Sequence, residues 1–218
     1  PILARHLADC GADAVIAGGM DKYAGGQLPT DNPKMDPNGE TTVIDFENLT
    51  DAVFIQVNDT LQALQTVAAA HRAEFGIPVV GITGSNGKTV VKEWLYQLLH
   101  SDFRIVRSPR SYNSQIGVPL SVWPLSESTG MGIFEAGISQ TGEMEKLQPI
   151  ICPTIGIFTN LGDAHQEGFS GLKQKADEKL KLFKEAEVLI YNSDDKLLEI
   201  AILQAKLKAG LFAWGKKP

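Results

Sequence analysis

A glycine-rich turn ending in Lys-Thr carries the clearest chemistry in this chain. The segment Val79-Val80-Gly81-Ile82-Thr83-Gly84-Ser85-Asn86-Gly87-Lys88-Thr89 is an apolar run, a tight glycine turn and then a helical pattern. That order builds a phosphate cradle, because loop N–H groups and a helix N-terminus face the same anion. Gly84, Ser85, Asn86 and Gly87 would supply backbone amides, Lys88 would reach the β- and γ-phosphates, and the Thr89 hydroxyl would bind Mg²⁺. A strict G-x-x-x-x-G-K-S/T motif needs glycine where Ile82 stands, but the shorter G-x-x-G-K-T from Gly84 to Thr89 is intact. After it, Val91, Trp94, Leu95, Leu98 and Leu99 recur at helical spacing, which puts Lys92, Glu93 and Gln97 on the other face.

Further candidates follow apolar runs. Glu135 closes Met131-Gly132-Ile133-Phe134 and precedes Ala136-Gly137, a place where a nucleotide enzyme holds Mg²⁺ and where a solvated turn glutamate also fits. Thr159 and Asn160 follow Ile155-Gly156-Ile157-Phe158, with His165 in the same loop. Imidazole is a common metal ligand, and an Asn amide both donates and accepts. Asn192-Ser193-Asp194-Asp195 ends Val188-Leu189-Ile190-Tyr191; it suits an adenine edge and ribose hydroxyls, or simply a turn and helix N-cap. Lys173, Lys175, Lys179, Lys181 and Lys184 share a helical stretch with Asp177, Glu178 and Glu185, which reads mostly as a solvated charged face. His6, His71 and His100 sit in no motif and read as packing or surface residues.

These positions need a scaffold that brings strand ends together. Strands are expected at 79–83, 104–108, 131–135, 154–159 and 188–192, and helices at 88–100, 115–122, 142–148 and 171–185. Their alternation predicts an α/β fold with a doubly wound, mostly parallel sheet, which binds ligands beyond the carboxyl ends of its strands. Upstream, a helix near Leu3, Leu7 and Cys10 leads to a strand at Ala14–Ala17, and residues 18–40 read as a long loop. A strand at Val53–Val57 leads to a helix capped by Asp59 and running to about Phe75. Gly76-Ile77-Pro78 breaks the chain there, so residues 1–76 are expected to be a partial smaller α/β domain and 77–218 the nucleotide-binding domain.

The totals bound the partners. With 218 residues, 43% of them hydrophobic and 21% charged, the chain has ordinary globular composition and enough material for a sizeable core. A net charge of −6 without a basic block argues against a binder of nucleic-acid backbones. Cys10 and Cys152 form no C-x-x-C, so a reducing compartment, the cytoplasm, is expected. No run approaches the roughly 18–20 apolar residues of a membrane span.

Taken together, the motifs resemble the Mur ligase family, ATP-dependent amide-bond ligases of peptidoglycan precursor synthesis. The resemblance rests on Thr83–Thr89, Asn113-Ser114-Gln115-Ile116-Gly117-Val118-Pro119-Leu120, Glu135-Ala136-Gly137 with Gly142-Glu143, Thr159-Asn160 with His165–Phe169, and Asn192–Asp195. It is strongest to the MurF-type branch, some members of which are fused to an alanine racemase; no racemase residues occur here. The resemblance implies ATP, Mg²⁺, a UDP-MurNAc-tripeptide and D-Ala-D-Ala as partners, with an acyl-phosphate intermediate. It implies Lys88 and the loop on the phosphates, Thr89 and Glu135 on one Mg²⁺, and His165 on a second. Asn160 would support that loop, Asn192 would face adenine, and Asn113 and Ser114 would touch substrate, although Asn is more usual than Ser at 114. The family's carbamylated lysine, fourteen positions after that histidine in related members, falls on Lys179. Members carry a further C-terminal domain for the incoming amine, so this chain alone is expected not to form the amide bond. A folylpolyglutamate synthase-like or other Mur ligase would share the loop but differ at 113–120. A non-ligase nucleotide switch is the third reading, though the Asn-Lys-x-Asp base-reading motif of a GTPase is missing.

Overall fold

The computed structural model describes strand backbone at 14–18, 27–28, 44–45 and 53–56, and then residues 57–162 and 168–216. The expected helix near Leu3, Leu7 and Cys10, most of the 18–40 loop, His6 and His165 lie outside the described residues. Contacts divide the chain into two units, Pro1–Leu64 and Gln65–Pro218, with the division inside the first described helix, ahead of the Gly76–Pro78 break.

In the first unit, β1 (Ala14–Gly18) pairs in parallel with β4 (Val53–Val57), and β2 (Gln27–Leu28) pairs antiparallel with β3 (Ile44–Asp45). Helix α1 (Thr60–Ala73) starts as the sequence predicts, since Asp59 Oδ1 accepts from the N–H groups of Leu61 and Gln62 at 2.8 and 3.0 Å.

The second unit is built on a six-stranded sheet. Its strands are β5 (Val79–Thr83), β6 (Ile105–Arg107), β7 (Met131–Glu135), β8 (Ile155–Phe158), β9 (Val188–Asn192) and β10 (Gly210–Trp214). They lie in the order β10-β9-β8-β5-β7-β6, every neighbouring pair parallel. The helices between them are α2 (Lys88–Leu99), α3 (Gly117–Val122), α4 (Glu143–Ile151), α5 (Leu172–Leu180), continued as a 3₁₀ turn at Lys181–Phe183, and α6 (Lys196–Ala205). This is the expected doubly wound architecture, with element ends within a few residues of those read from the sequence.

Period-two patterning splits the core between the two faces of the sheet. Val80, Ile82, Met131 and Ile133 face α2 through Val91, Leu95 and Leu99. Val79, Phe134 and Phe158 point the other way, into a larger cluster with α3, α4, α5 and α6. Ile82, the residue that breaks the strict phosphate motif, is a fully buried strand residue, so the cradle begins one step later. Arg72 anchors the end of α1: its guanidinium donates to the carbonyls of Ile151, Phe75 and Cys152 at 3.1, 2.7 and 3.2 Å, satisfying groups that the end of α4 leaves unpaired.

Helix α2 corrects the sequence reading. Trp94 and Leu98 are 64% and 72% exposed, whereas Lys92 is fully buried. Apolar residues occupy two stripes of this helix, and the sheet takes the one made by Val91, Leu95 and Leu99; Lys92 then points at the strand ends, where a charge partner waits.

Gly156 permits the tightest core contact. A Cβ there would lie 2.4 Å from Phe183 Cδ1 and 3.1 Å from Leu189 Cδ1, while at Gly76 nothing lies within 4 Å. Gly156→Ala is expected to lower unfolding free energy by about 1–3 kcal/mol, the usual cost of overpacking. Gly76→Ala should stay within about 1 kcal/mol of wild type. Urea denaturation of the two variants reads the difference directly.

Candidate functional site

Parallel register lines up the carboxyl ends of the central strands. Ile82 pairs with Glu135 and Thr83 with Phe158, so the loop after β5, the last residue of β7 and the loop after β8 sit side by side. The Thr83–Thr89 loop is pinned from both flanks. Thr83 Oγ1 donates to Ala136 O at 2.9 Å, and Ser85 N donates to Asn160 O at 2.9 Å. Asn86 N donates to Asn160 Oδ1 at 3.0 Å, and Thr159 Oγ1 donates to Asn86 O at 2.6 Å. Asn160 thus braces the phosphate loop through its carbonyl and its side-chain oxygen. Gly84 has φ +142° and would place a Cβ 2.0 Å from Thr159 Oγ1, so only glycine fits there. Gly87, at φ +81°, turns the chain into α2.

The acidic side of the site is buried. Glu135 is completely inaccessible to solvent. Its Oε2 accepts from Thr89 Oγ1 at 3.1 Å and from Asn113 Nδ2 at 3.4 Å, and its Oε1 stands 3.0 Å from Lys92 Nζ. Thr89 Oγ1 also shares a 3.1 Å hydrogen bond with Ser111 Oγ. The structure therefore joins the loop threonine to a desolvated carboxylate. A hydroxyl and a carboxylate oxygen are the hard donors magnesium prefers, so the pair fits that ion. Among the described residues no cluster of three or more His, Cys, Asp or Glu could hold a metal, so the remaining ligands would have to come from phosphate, water or undescribed residues.

The basic side is a set of three lysines. Lys88 Nζ donates to Gly84 O at 2.9 Å, and Lys179 Nζ donates to the same carbonyl at 3.2 Å. Lys175 Nζ donates to Gly162 O, which also accepts from Ser85 Oγ at 2.9 Å. Lys175 and Lys179 are 1% and 2% exposed. This corrects the solvated reading of Lys175: one face of α5 is turned inward, and its charge is met by loop carbonyls. Glu178 is buried on the same helix and accepts from the N–H groups of Gly142 and Met144 at 2.7 and 3.3 Å, capping α4. Lys173 and Lys181 remain at the surface in ion pairs.

These environments separate the lysines. Burial pushes the Lys179 amine down to about 7, and the charges of Lys88 and Lys175 push the same way. Lys88 is also lowered by burial, but Glu135 pulls it back up while Lys175 lowers it.

The other candidates divide. Asn113 joins the site through Glu135, and Asn113 O accepts from Gly137 N at 2.7 Å. Ser114 Oγ accepts from Gly117 N at 3.1 Å, a turn contact that leads into α3. Asn192 Oδ1 accepts from Asp194 N at 2.9 Å, a turn contact. Asp195 accepts from Leu198 N through Oδ1 at 3.1 Å and from Leu161 N through Oδ2 at 3.0 Å; it caps α6 and ties that cap to the loop after β8. Sequence reasoning missed Lys92, Ser108 and Ser111. No local signal marks Lys92, since the partners that bury it, Ser108 and Glu135, lie far along the chain.

Residues 82–216 match the Mur ligase middle domain. A UDP-N-acetylmuramoyl-tripeptide–D-alanyl-D-alanine ligase of Bacillus subtilis is 37% identical over 150 residues, covering 67% of this chain and 33% of its own length. The enzyme of the same name from Treponema pallidum is 41% identical over 134 residues, 61% of this chain and 29% of its own. This chain therefore spans about a third of the length of these relatives. A crystal structure of MurF ligase from Thermotoga maritima in complex with ADP superposes with a TM-score of 0.70 at 23% identity, covering 98% of this chain and 45% of that one. At that identity the likeness speaks for the fold.

The Lys179 amine makes stability depend on pH. Its ordinary value is 10.5 and its folded value about 7, so between these limits the unfolded chain holds a proton that the folded chain lacks. Stability from this group therefore rises with pH from about 7 toward 10.5, by at most about 1.4 kcal/mol per unit. Urea unfolding at fixed pH should show wild type gaining on Lys179→Met between pH 7 and 10. A flat difference would restore ordinary basicity to this lysine.

Proposed function

The chain belongs to the Mur ligase family through its middle domain, and on that premise we propose that it is the nucleotide-binding domain of a cytoplasmic ligase that adds D-Ala-D-Ala to a UDP-MurNAc-tripeptide. One observation carries the reading: a phosphate loop whose threonine is hydrogen-bonded to a buried carboxylate at the neighbouring strand end. In this reading residues 77–218 hold ATP, and residues 1–76 are part of the domain for the UDP-linked substrate.

The contacts of the described residues support the following roles, and the resemblance supplies that of His165. Gly84, Ser85, Asn86 and Gly87 offer backbone N–H groups to the phosphates, and Lys88, now on the carbonyls of Gly84 and Ser85, swings to the γ-phosphate. Thr89 and Glu135 would hold one Mg²⁺, and His165, outside the described residues, would help to hold a second. Magnesium, when bound, offsets charge on the transferring phosphoryl group. Asn192 and Asp195 lie at the β9 end, on the side of the adenosine, and Asn113 and Ser114 on the side of the acyl substrate. The substrate's terminal carboxylate attacks the γ-phosphorus, giving an acyl phosphate and ADP. The amine of D-Ala-D-Ala then attacks the activated carbonyl and releases phosphate. Positioning and charge stabilisation supply most of the catalysis.

Lys179 takes the carbamate role in this proposal. A lysine held near 7 is half neutral at physiological pH, and a neutral amine adds CO₂ to form an anionic carbamate while releasing a proton. That converts a repulsive neighbour of Lys88 and Lys175 into an attractive one.

Calorimetry on this chain tests the nucleotide half. Lys88→Ala should remove most Mg·ATP affinity, and equal affinity in the two proteins would overturn the cradle assignment. The reaction is tested in a polypeptide carrying this domain at the relatives' full length. Phosphate release should require both UDP-MurNAc-tripeptide and D-Ala-D-Ala; release with folate and glutamate instead, or with no acceptor, would favour a rival reading. In the same polypeptide Lys179→Ala should be nearly inactive and partly rescued by added short-chain carboxylate, whereas the exposed Lys173→Ala should match wild type.

A further inference from the structure

A buried ammonium beside the site takes no part in the steps above. Lys92 has no solvent exposure, yet it lies one turn after Lys88 on α2. Its Nζ donates to Ser108 O at 2.8 Å and to Arg110 O, and stands 3.0 Å from Glu135 Oε1 and 3.1 Å from Glu93 Oε1. Glu93 is partly exposed and is also held by Arg107 at 3.2 Å, so Glu135 is the buried anion that Lys92 answers. We infer that Lys92 is a positioning residue of the metal site: it holds Glu135 turned so that Oε2 alone faces Thr89. The inference rests on reading Thr89 and Glu135 as magnesium ligands.

The physical argument begins with Glu135. Its buried Oε1 has no hydrogen-bond donor among the described residues and faces the Lys92 ammonium at 3.0 Å, so the ion pair is what holds that oxygen. The terminal torsion of a glutamate is broad and roughly two-fold, so nothing intrinsic to the side chain fixes which oxygen points at Thr89. Lys92 breaks that symmetry. The same amine clamps the Ser108 and Arg110 carbonyls, and the next residue, Ser111, shares a hydrogen bond with Thr89 Oγ1. Ser108 Oγ in turn accepts from Glu135 N at 3.1 Å. One ammonium therefore fixes both neighbours of the threonine hydroxyl. A buried ion pair is a poor device for stability alone, since apolar replacements are often as stable. Its value here is orientation before the ion arrives.

The test separates orientation from folding. ADP is titrated calorimetrically into the chain in MgCl₂ and in EDTA, and the ratio of the two dissociation constants is the magnesium advantage. Lys92→Met should cut that advantage by about tenfold, the usual scale for losing a group that orients a metal ligand. ADP affinity in EDTA should stay within about twofold of wild type, because the Lys88 amine rests on Gly84 O and Ser85 O whereas the Lys92 amine rests on Ser108 O and Arg110 O. Lys92→Gln keeps a donor for Ser108 O without the charge; it should show the same loss, and it decides the matter if the Met variant does not fold. Lys92→Arg, which keeps the charge, should recover part of the advantage. An unchanged advantage in a folded Met or Gln variant, or equal losses in MgCl₂ and EDTA, overturns the inference. A wild type with no magnesium advantage overturns the underlying metal reading and this inference with it.

Discussion

Glu135 is a charge placed where no water reaches, and much of the site exists to make that tolerable. Its carboxylate ends β7, between β5 and the edge strand β6 of a parallel sheet, with Lys92 on one oxygen and Thr89 and Asn113 on the other. Lys92 and Thr89 come from α2 and Asn113 from the loop after β6, so the sheet order and the parallel register must both be right before the cluster closes. Local sequence follows from this. Gly137 has no Cβ because one would lie 2.8 Å from Asn113 Oδ1, and Asn113 has to stay to reach the carboxylate. Removing either charge of the pair alone would strand the other, which ties the stability of the second unit to the integrity of its site.

Positive charge sets the opposite constraint. The chain carries a net −6, yet three lysine amines converge at the phosphate loop with Glu135 the buried anion among the groups that act on Lys88. Backbone carbonyls of Gly84, Ser85 and Gly162 solvate them instead of water. An anionic ligand gains from every one of these charges. The same crowding sorts the amines by role. Burial lowers both, but Glu135 pulls Lys88 back toward the ammonium form that a phosphate needs, whereas the charges of Lys88 and Lys175 lower Lys179 further, the amine proposed to add CO₂. Two lysines on one carbonyl, Gly84 O, are thereby set for different chemistry.

The sequence made the scaffold readable because its signals are local. Apolar runs end in glycine, helices begin after Asp59 and Asp195, and the order of strands and helices leaves little choice but a parallel sheet. Glu135 and Asn160 were read as candidates because they sit at strand ends, which the architecture turns into one surface, whereas Asn113 came from the resemblance. Lys92 and Lys175 were not readable. A lysine in a helix is nearly always solvated, and what buries these two lies far along the chain: Ser108 and Glu135 for one, Gly162 for the other. Trp94 and Leu98 misled for the mirror reason, since α2 carries two apolar stripes and only the sheet decides which is used. At Asn192 and Asp195 the plain turn-and-cap reading matches the contacts found.

Helix α5 shows why a polar sequence can still be central to a fold. Nearly all its charged residues suggest solvent, yet Lys175, Glu178 and Lys179 recur at the spacing of one helix face and are buried together. Each binds the backbone of a different loop. Lys175 takes Gly162 O after β8, Glu178 takes the N–H groups of Gly142 and Met144 after β7, and Lys179 takes Gly84 O after β5. Loop carbonyls and amides at strand ends lack ladder partners, so a helix that supplies both donors and acceptors at successive turns can gather three loops at once. Hydrophobic side chains could pack there but could not satisfy those groups. The charges on α5 are therefore the means by which the strand ends of this sheet are held as one site, and the lysine proposed for carbamate chemistry is one of the fasteners.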